Sequence, residues 1–219
     1  MKIANKKNIL VLIMFSLLFV SCAGKKEVQE YNKPALYWYN KMLKQITGEY
    51  LEEADDTFTS LESEHKNSPL VPTAMLILSN AHIAQEEYEL ANYYLDEYSK
   101  RFALSKNIDF VRYLKIKANF LSIGYQYREQ QLFIDTIADI EKFKIKFPDS
   151  PYIHLVHDIN SRLLMGKADF DKKISELYTR VGKDKASKLY LERSKKDWSK
   201  PEEIGEIKIP WYRAIFENY

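Results

Sequence analysis

Thr136-Ile137-Ala138-Asp139-Ile140-Glu141-Lys142-Phe143-Lys144-Ile145-Lys146-Phe147-Pro148-Asp149-Ser150-Pro151 is the stretch that decides the fold. Thr136, Ile140 and Phe143 are spaced by four and three residues, the step that lines side chains along one face of an α-helix. Pro148 and Pro151, with Asp149-Ser150 between them, then end it. Counted back from Pro148, a small residue stands at twelve and bulky ones at eight and five. The same offsets from Lys66 reach Ala54, Phe58 and Leu61, and from Ala103 they reach Ala91, Leu95 and Tyr98. A motif returning after 37 and then 45 residues is the mark of a repeat architecture.

Outward from these copies the chain is helix after helix. Leu36, Tyr39, Leu43 and Ile46 recur at helical steps from Pro34 to Thr47, and Gly48 stops them. Further helices are expected near 51–65, 72–85 (Met75, Leu78, Ala81 and His82 on one stripe), 88–102, 109–128, 132–146, 151–165, 169–181 and 183–196. The one beginning at Asp109 is expected to be the longest. Six glycines and seven prolines in 219 residues favour helix over turn and sheet.

The recurring second helix resembles that of a tetratricopeptide repeat, with its Ala, Phe, Ala and terminal Pro positions. Ile123-Gly124 and Tyr127 occupy the Leu-Gly and Tyr positions of the first helix. The expected fold is therefore all-α, a right-handed solenoid of four to five helix pairs over residues 34–200. In such a stack the first helix of each pair lines a concave groove. Projected onto this chain, the motif's groove positions are Trp38, Met42 and Gln45, then Thr73, Leu76 and Asn80, then Leu121, Tyr125 and Arg128.

The N-terminus sets the compartment. Lys2, Lys6 and Lys7 precede an apolar run through Val20, too short to span about 30 Å of hydrocarbon as a helix. Leu18-Phe19-Val20-Ser21-Cys22 follows, ending on the chain's single cysteine. It resembles the lipobox of bacterial lipoproteins, with Phe19 where leucine is usual. The resemblance implies removal of residues 1–21 and acylation of Cys22, giving two or more hydrophobic anchors. A lone thiol in an exported chain has no intramolecular disulfide to make, which agrees. Ala23, rather than aspartate, after the cysteine implies the outer membrane. Polar residues 22–33 are expected to tether the domain. Loss of the three lysines turns the formal +2 into about −1, so the overall charge does not indicate nucleic acid.

Taken in series, the lipobox, Gly48-Glu49-Tyr50, Glu87-Tyr88-Glu89-Leu90-Ala91, Arg128-Glu129-Gln130 and Lys146-Phe147-Pro148-Asp149-Ser150-Pro151-Tyr152 resemble the BamD (ComL) family. These are lipoproteins of the outer-membrane β-barrel assembly machinery. The resemblance covers roughly residues 16–200. It implies an adaptor on the periplasmic face that binds the barrel-forming core subunit, with accessory lipoproteins, and helps receive unfolded outer-membrane proteins. The chain is short of the family's final repeat and ends on an aromatic segment instead. That segment, within residues 201–219, contains Pro210-Trp211-Tyr212-Arg213-Ala214-Ile215-Phe216, which either caps the stack or docks a partner. Another lipid-anchored repeat scaffold, such as a secretin pilotin or a cell-envelope coordinator, is the alternative.

Charge is unevenly spread. From Glu49 to Glu97 there are twelve acidic side chains and one basic, Lys66; from Asp171 to Lys200, ten basic and five acidic. Such polarity more often steers partners than stabilises a fold. His154 and His157, followed by Asp158, could share a helix face around a metal, but no third ligand is evident and ordinary surface is expected. The chain carries no Gly-rich phosphate loop, Gly-x-Ser-x-Gly or His-Glu-x-x-His, so neither enzyme nor cofactor is expected.

Overall fold

The computed structural model describes residues 30–102, 104, 106–123, 130–199 and 201. Among them stand eight α-helices and no strand. They are α1 (Ala35–Thr47), α2 (Leu51–Glu64), α3 (Leu70–Ala84), α4 (Tyr88–Arg101), α5 (Ile108–Ser122), α6 (Gln130–Lys146), α7 (Ile153–Arg180) and α8 (Asp184–Asp197). All lie in one compact unit, Ala35–Tyr219. The helices pack as four antiparallel pairs, α1 with α2, α3 with α4, α5 with α6 and α7 with α8. The first helices also touch in order, α1 on α3, α3 on α5 and α5 on α7. This is a tetratricopeptide-like stack.

Three turns inside the pairs share one hydrogen-bond pattern. Tyr50 N–H donates to Gln45 O (2.9 Å) and Glu49 N–H to Ile46 O (3.1 Å); Glu87 and Glu86 do the same to His82 O (2.9 Å) and Ile83 O (3.3 Å). Lys183 and Gly182 repeat it with Tyr178 O (2.9 Å) and Thr179 O (3.1 Å). Each is a Schellman cap, which needs a left-handed residue just past the helix. That residue is Glu49 (φ 63°), Glu86 (φ 62°) or Gly182 (φ 71°). The corresponding turn between α5 and α6 falls among residues 124–129, outside those described, and so do Gly124 and Tyr127 of the first-helix motif.

The nine repeat offsets are all core positions. Ala54, Ala91 and Thr136 have no exposure, and Phe58, Leu95, Ile140, Leu61, Tyr98 and Phe143 have at most 3 %. Two apolar clusters result, one running from Trp38 on α1 to Ala118 on α5, the second joining α5, α6 and the first half of α7. Polar clips cross between pairs: Arg101 with Glu62, Lys115 with Asp96, Asn92 Nδ2 to Asn119 Oδ1 (2.8 Å) and Ser150 Oγ to Asp109 Oδ2 (2.7 Å).

Two expectations are corrected. The segments 151–165 and 169–181 are one helix, α7, whose 28 residues make it the longest described; α5 has 15. Only Gly166 interrupts the pattern, and a lone glycine costs a helix about 1 kcal/mol relative to alanine. Two partners outweigh that: α5 and α6 cover the first half of α7, and α8 covers the second.

Candidate partner-binding surface

The groove positions separate into walls and core. On α3, Thr73 and Asn80 are exposed and Leu76 is half-buried against the first cluster. Leu121 on α5 is 40 % exposed. Asn80 Nδ2 folds back onto Leu76 O at 2.8 Å, so the amide is committed to its own helix. Gln45 is half-buried, with its Oε1 enclosed and unpartnered. Tyr125 and Arg128 lie outside the described residues.

Trp38 and Met42 are a correction. They are 2 % and 0 % exposed and belong to the first core cluster, not to an open groove wall. The physical reason is the indole and thioether volume, which fills the space between α1 and its neighbours, while Trp38 Nε1 donates to Glu64 Oε2 on α2 at 2.8 Å.

At the turn between α3 and α4 lies a feature that spacing alone did not reveal. A cleft of about 640 Å³ is lined by Glu86 to Leu90, Asn92, Asn119, Ser122 and Leu132, and among the described residues its charged side chains are Glu86, Glu87 and Glu89. Behind it, His82 is 1 % exposed and bridges two acids, Glu87 Oε2 at 2.6 Å and Asp55 Oδ1 at 3.0 Å. Tyr94 donates its hydroxyl to the same Asp55 oxygen at 2.6 Å and stacks on the imidazole. Burial pushes the His82 pKa down, but the hydrogen bonds and charges of Asp55 and Glu87 outweigh it, leaving it above the ordinary value. The clasp ties α2, α3 and the start of α4 together. The signal in the sequence was a histidine on an apolar stripe between two acid-rich helices.

The opposite polarity is also on the surface. Lys173, Arg180, Lys183, Lys185, Lys188, Arg193, Lys195 and Lys196 are exposed on α7, α8 and their turn. His154, His157 and Asp158 are exposed on α7, and Asp158 is paired with Arg162. No group of three metal-capable side chains occurs among the described residues.

A stack of amphipathic helix pairs with its first helices side by side defines a class, the helical-repeat scaffolds, whose working surface is the face of the stack. Comparison with known proteins narrows this. A family model described as "Outer membrane lipoprotein" (YfiO) matches residues 31–187. The chain belongs to that family. It is also 35 % identical to "Outer membrane protein assembly factor BamD" of Helicobacter pylori over 219 residues, covering 99 % of this chain and all of the relative. A chain of this short length is thus matched end to end by an assembly factor.

Proposed function

We propose that this chain is a lipid-anchored adaptor in outer-membrane β-barrel protein assembly, held by acylated Cys22 on the periplasmic face. The observation that carries this is the end-to-end match to an assembly factor, to which the repeat stack adds a partner-binding architecture. The partners proposed are the barrel-forming core subunit of the machinery, its accessory lipoproteins and unfolded outer-membrane proteins. The contact residues proposed are Thr73, Leu76, Asn80 and Leu121 on the first-helix face, with Gln45 and, by the repeat motif alone, Tyr125 and Arg128. The role is one of binding and positioning rather than catalysis.

The acidic cleft at Glu86–Leu90 and the basic α7–α8 surface steer partners of opposite sign to different parts of the stack, since clefts walled by one sign of charge raise encounter rates. A mild-detergent pull-down of the full acylated chain from outer membranes tests the assignment. Recovery of the core subunit in near-equal amount, with membrane retention lost in Cys22→Ala, supports it. Recovery of secretin or peptidoglycan-associated proteins without the core subunit leaves the fold standing and overturns the function.

A further inference from the structure

A second cleft, of about 320 Å³, lies between α5 and α6, the two helices of the third pair. Ile116, Phe143 and Phe147 form the apolar part of its lining, and the two phenylalanine rings lie 5.2 Å apart centre to centre. Around them stand four cations, Arg112 and Lys115 on α5 and Lys142 and Lys146 on α6, against one acid, Asp139. Two of the cations are already answered. Lys142 Nζ is 2.9 Å from Asp139 Oδ1, and Lys115 is paired with Asp96 on α4. The other two are not. Among the described residues, Arg112 has no ion pair, and Lys146 lies over the Phe147 ring at 5.4 Å without a carboxylate partner. Both are exposed, one on each helix of the cleft.

This arrangement does not serve the helices that carry it. Arg112 and Lys115 are three apart on α5, and Lys142 and Lys146 are four apart on α6. Like charges at such spacings destabilise a helix. What the arrangement does provide is a recess of one sign over apolar walls, which concentrates the opposite charge. The planar guanidinium of Arg112 matches a carboxylate through two parallel hydrogen bonds, and Lys146 adds a second donor group. The apolar lining calls for an apolar group beside the anion. Residues two apart in an extended segment fall on the same side, about 7 Å from each other. An acid and an apolar residue at that spacing therefore answer both needs. A bare phosphate leaves the apolar lining uncovered, and a flat bilayer surface does not enter a recess between two helices.

We propose that the cleft between α5 and α6 receives a short acidic segment of a protein partner, with a carboxylate on Arg112 and Lys146 and an apolar side chain against the Phe147 ring. The inference rests on the adaptor reading above only in taking the occupant to be a protein.

The test uses the full acylated chain in neutral detergent and a dye-labelled, end-blocked peptide, Ser-Asp-Ser-Phe-Ser-Asp-Ser, read by fluorescence anisotropy. Saturable binding is expected. It should weaken about tenfold in Arg112→Gln/Lys146→Gln, and less than about twofold in Lys195→Gln/Lys196→Gln, which removes the same charge from α8. A peptide with asparagine in place of aspartate is expected to bind about tenfold more weakly as well. Both cleft side chains are exposed, so the first double variant should melt no lower than the wild type. Failure of the peptide to bind, equal binding of the asparagine peptide, or an equal loss in the two double variants overturns the inference. So does binding of inorganic phosphate or phosphatidylglycerol vesicles, but not of the peptide, that depends on Arg112 and Lys146; the cleft is then a phosphate site. Recovery of the core subunit in the pull-down is scored on the unsubstituted chain without the peptide, so the adaptor reading and this one fail separately.

Discussion

The pairs α3–α4 and α7–α8 share one turn geometry and are held together by different means. Between α3 and α4 the buried set is Val71, Ala74, Met75, Leu78, Ser79, His82, Ile83, Ala91, Tyr94, Leu95 and Tyr98, mostly apolar bulk. Between the second half of α7 and α8 it is Ala168, Asp171, Ser175 and Ser194, and α8 buries only its serine. There, Ser194 Oγ donates to Ala168 O at 2.6 Å and Ser175 Oγ to Ser187 O at 2.8 Å, while Leu177, Leu189 and Leu191 stay exposed. Small residues let the two backbones approach closely, and the hydrogen bonds replace missing volume. A typical hydrogen bond adds only about 1 kcal/mol net, less than a buried leucine contributes. The same repeat geometry is therefore held mainly by apolar bulk in one pair and by close approach and hydrogen bonds in the other.

The comparison breaks most visibly if bulk does not dominate the first pair. Leu78→Ala removes a side chain with no exposure and is expected to cost about 2–5 kcal/mol in chemical denaturation. Leu189→Ala on α8, 53 % exposed, is expected to change stability by no more than about 0.5 kcal/mol. Equal losses at the two sites would mean that the pairs are not held differently after all.

Next in size is the test of close approach. Ser194→Leu forces volume between α7 and α8 and is expected to cost about 1–3 kcal/mol, whereas Ser194→Ala loses one hydrogen bond, about 1 kcal/mol. Thermal melts that rank the two in reverse order would remove the close-approach argument.

The turns sharpen the comparison further. Glu49 and Glu86 occupy left-handed positions where the third turn has Gly182. Glu86→Gly is expected to stabilise by about 1 kcal/mol and Gly182→Ala to destabilise by a similar amount. Should Glu86→Gly also weaken recovery of partners in the pull-down, the strained glutamate is retained for the acidic cleft rather than for the fold.

The smallest effect is a slope with pH. Because the folded-state pKa of His82 is raised, its clasp stabilises fully below the unfolded value of about 6.5 and the contribution fades as pH rises through the higher folded value. Melting temperatures from about pH 6 to about pH 8 should therefore fall more steeply for the wild type than for His82→Phe. Identical slopes would show that the clasp is not a charged one.

The offsets behind Lys66, Ala103 and Pro148 read the second helices correctly because each small residue must sit where paired helices cross, whatever the partner. Breaks at Gly48 and Pro148 were legible for a similar reason, since they act on the local backbone. The groove was less legible. Period three and four tells which residues share a stripe, as with Trp38 and Met42, but not which neighbour the stripe meets. The merger of 151–165 with 169–181 escaped notice because a single glycine is a weak breaker, and the packing of α8 on α7 is invisible locally.

By itself, the sequence determined the all-α repeat, the boundaries of most helices, the charge polarity and the lipobox pattern at Cys22. These follow from local periodicity, backbone chemistry and composition. Only the tertiary structure decided that Trp38 and Met42 are core, that His82 is clasped by Asp55 and Glu87, and that Asp171 is buried with one oxygen left without a hydrogen-bond partner. Each of these joins residues from two or more helices, or a helix and its neighbouring turn, and such contacts are set by how the pairs stack, a relation no local pattern encodes.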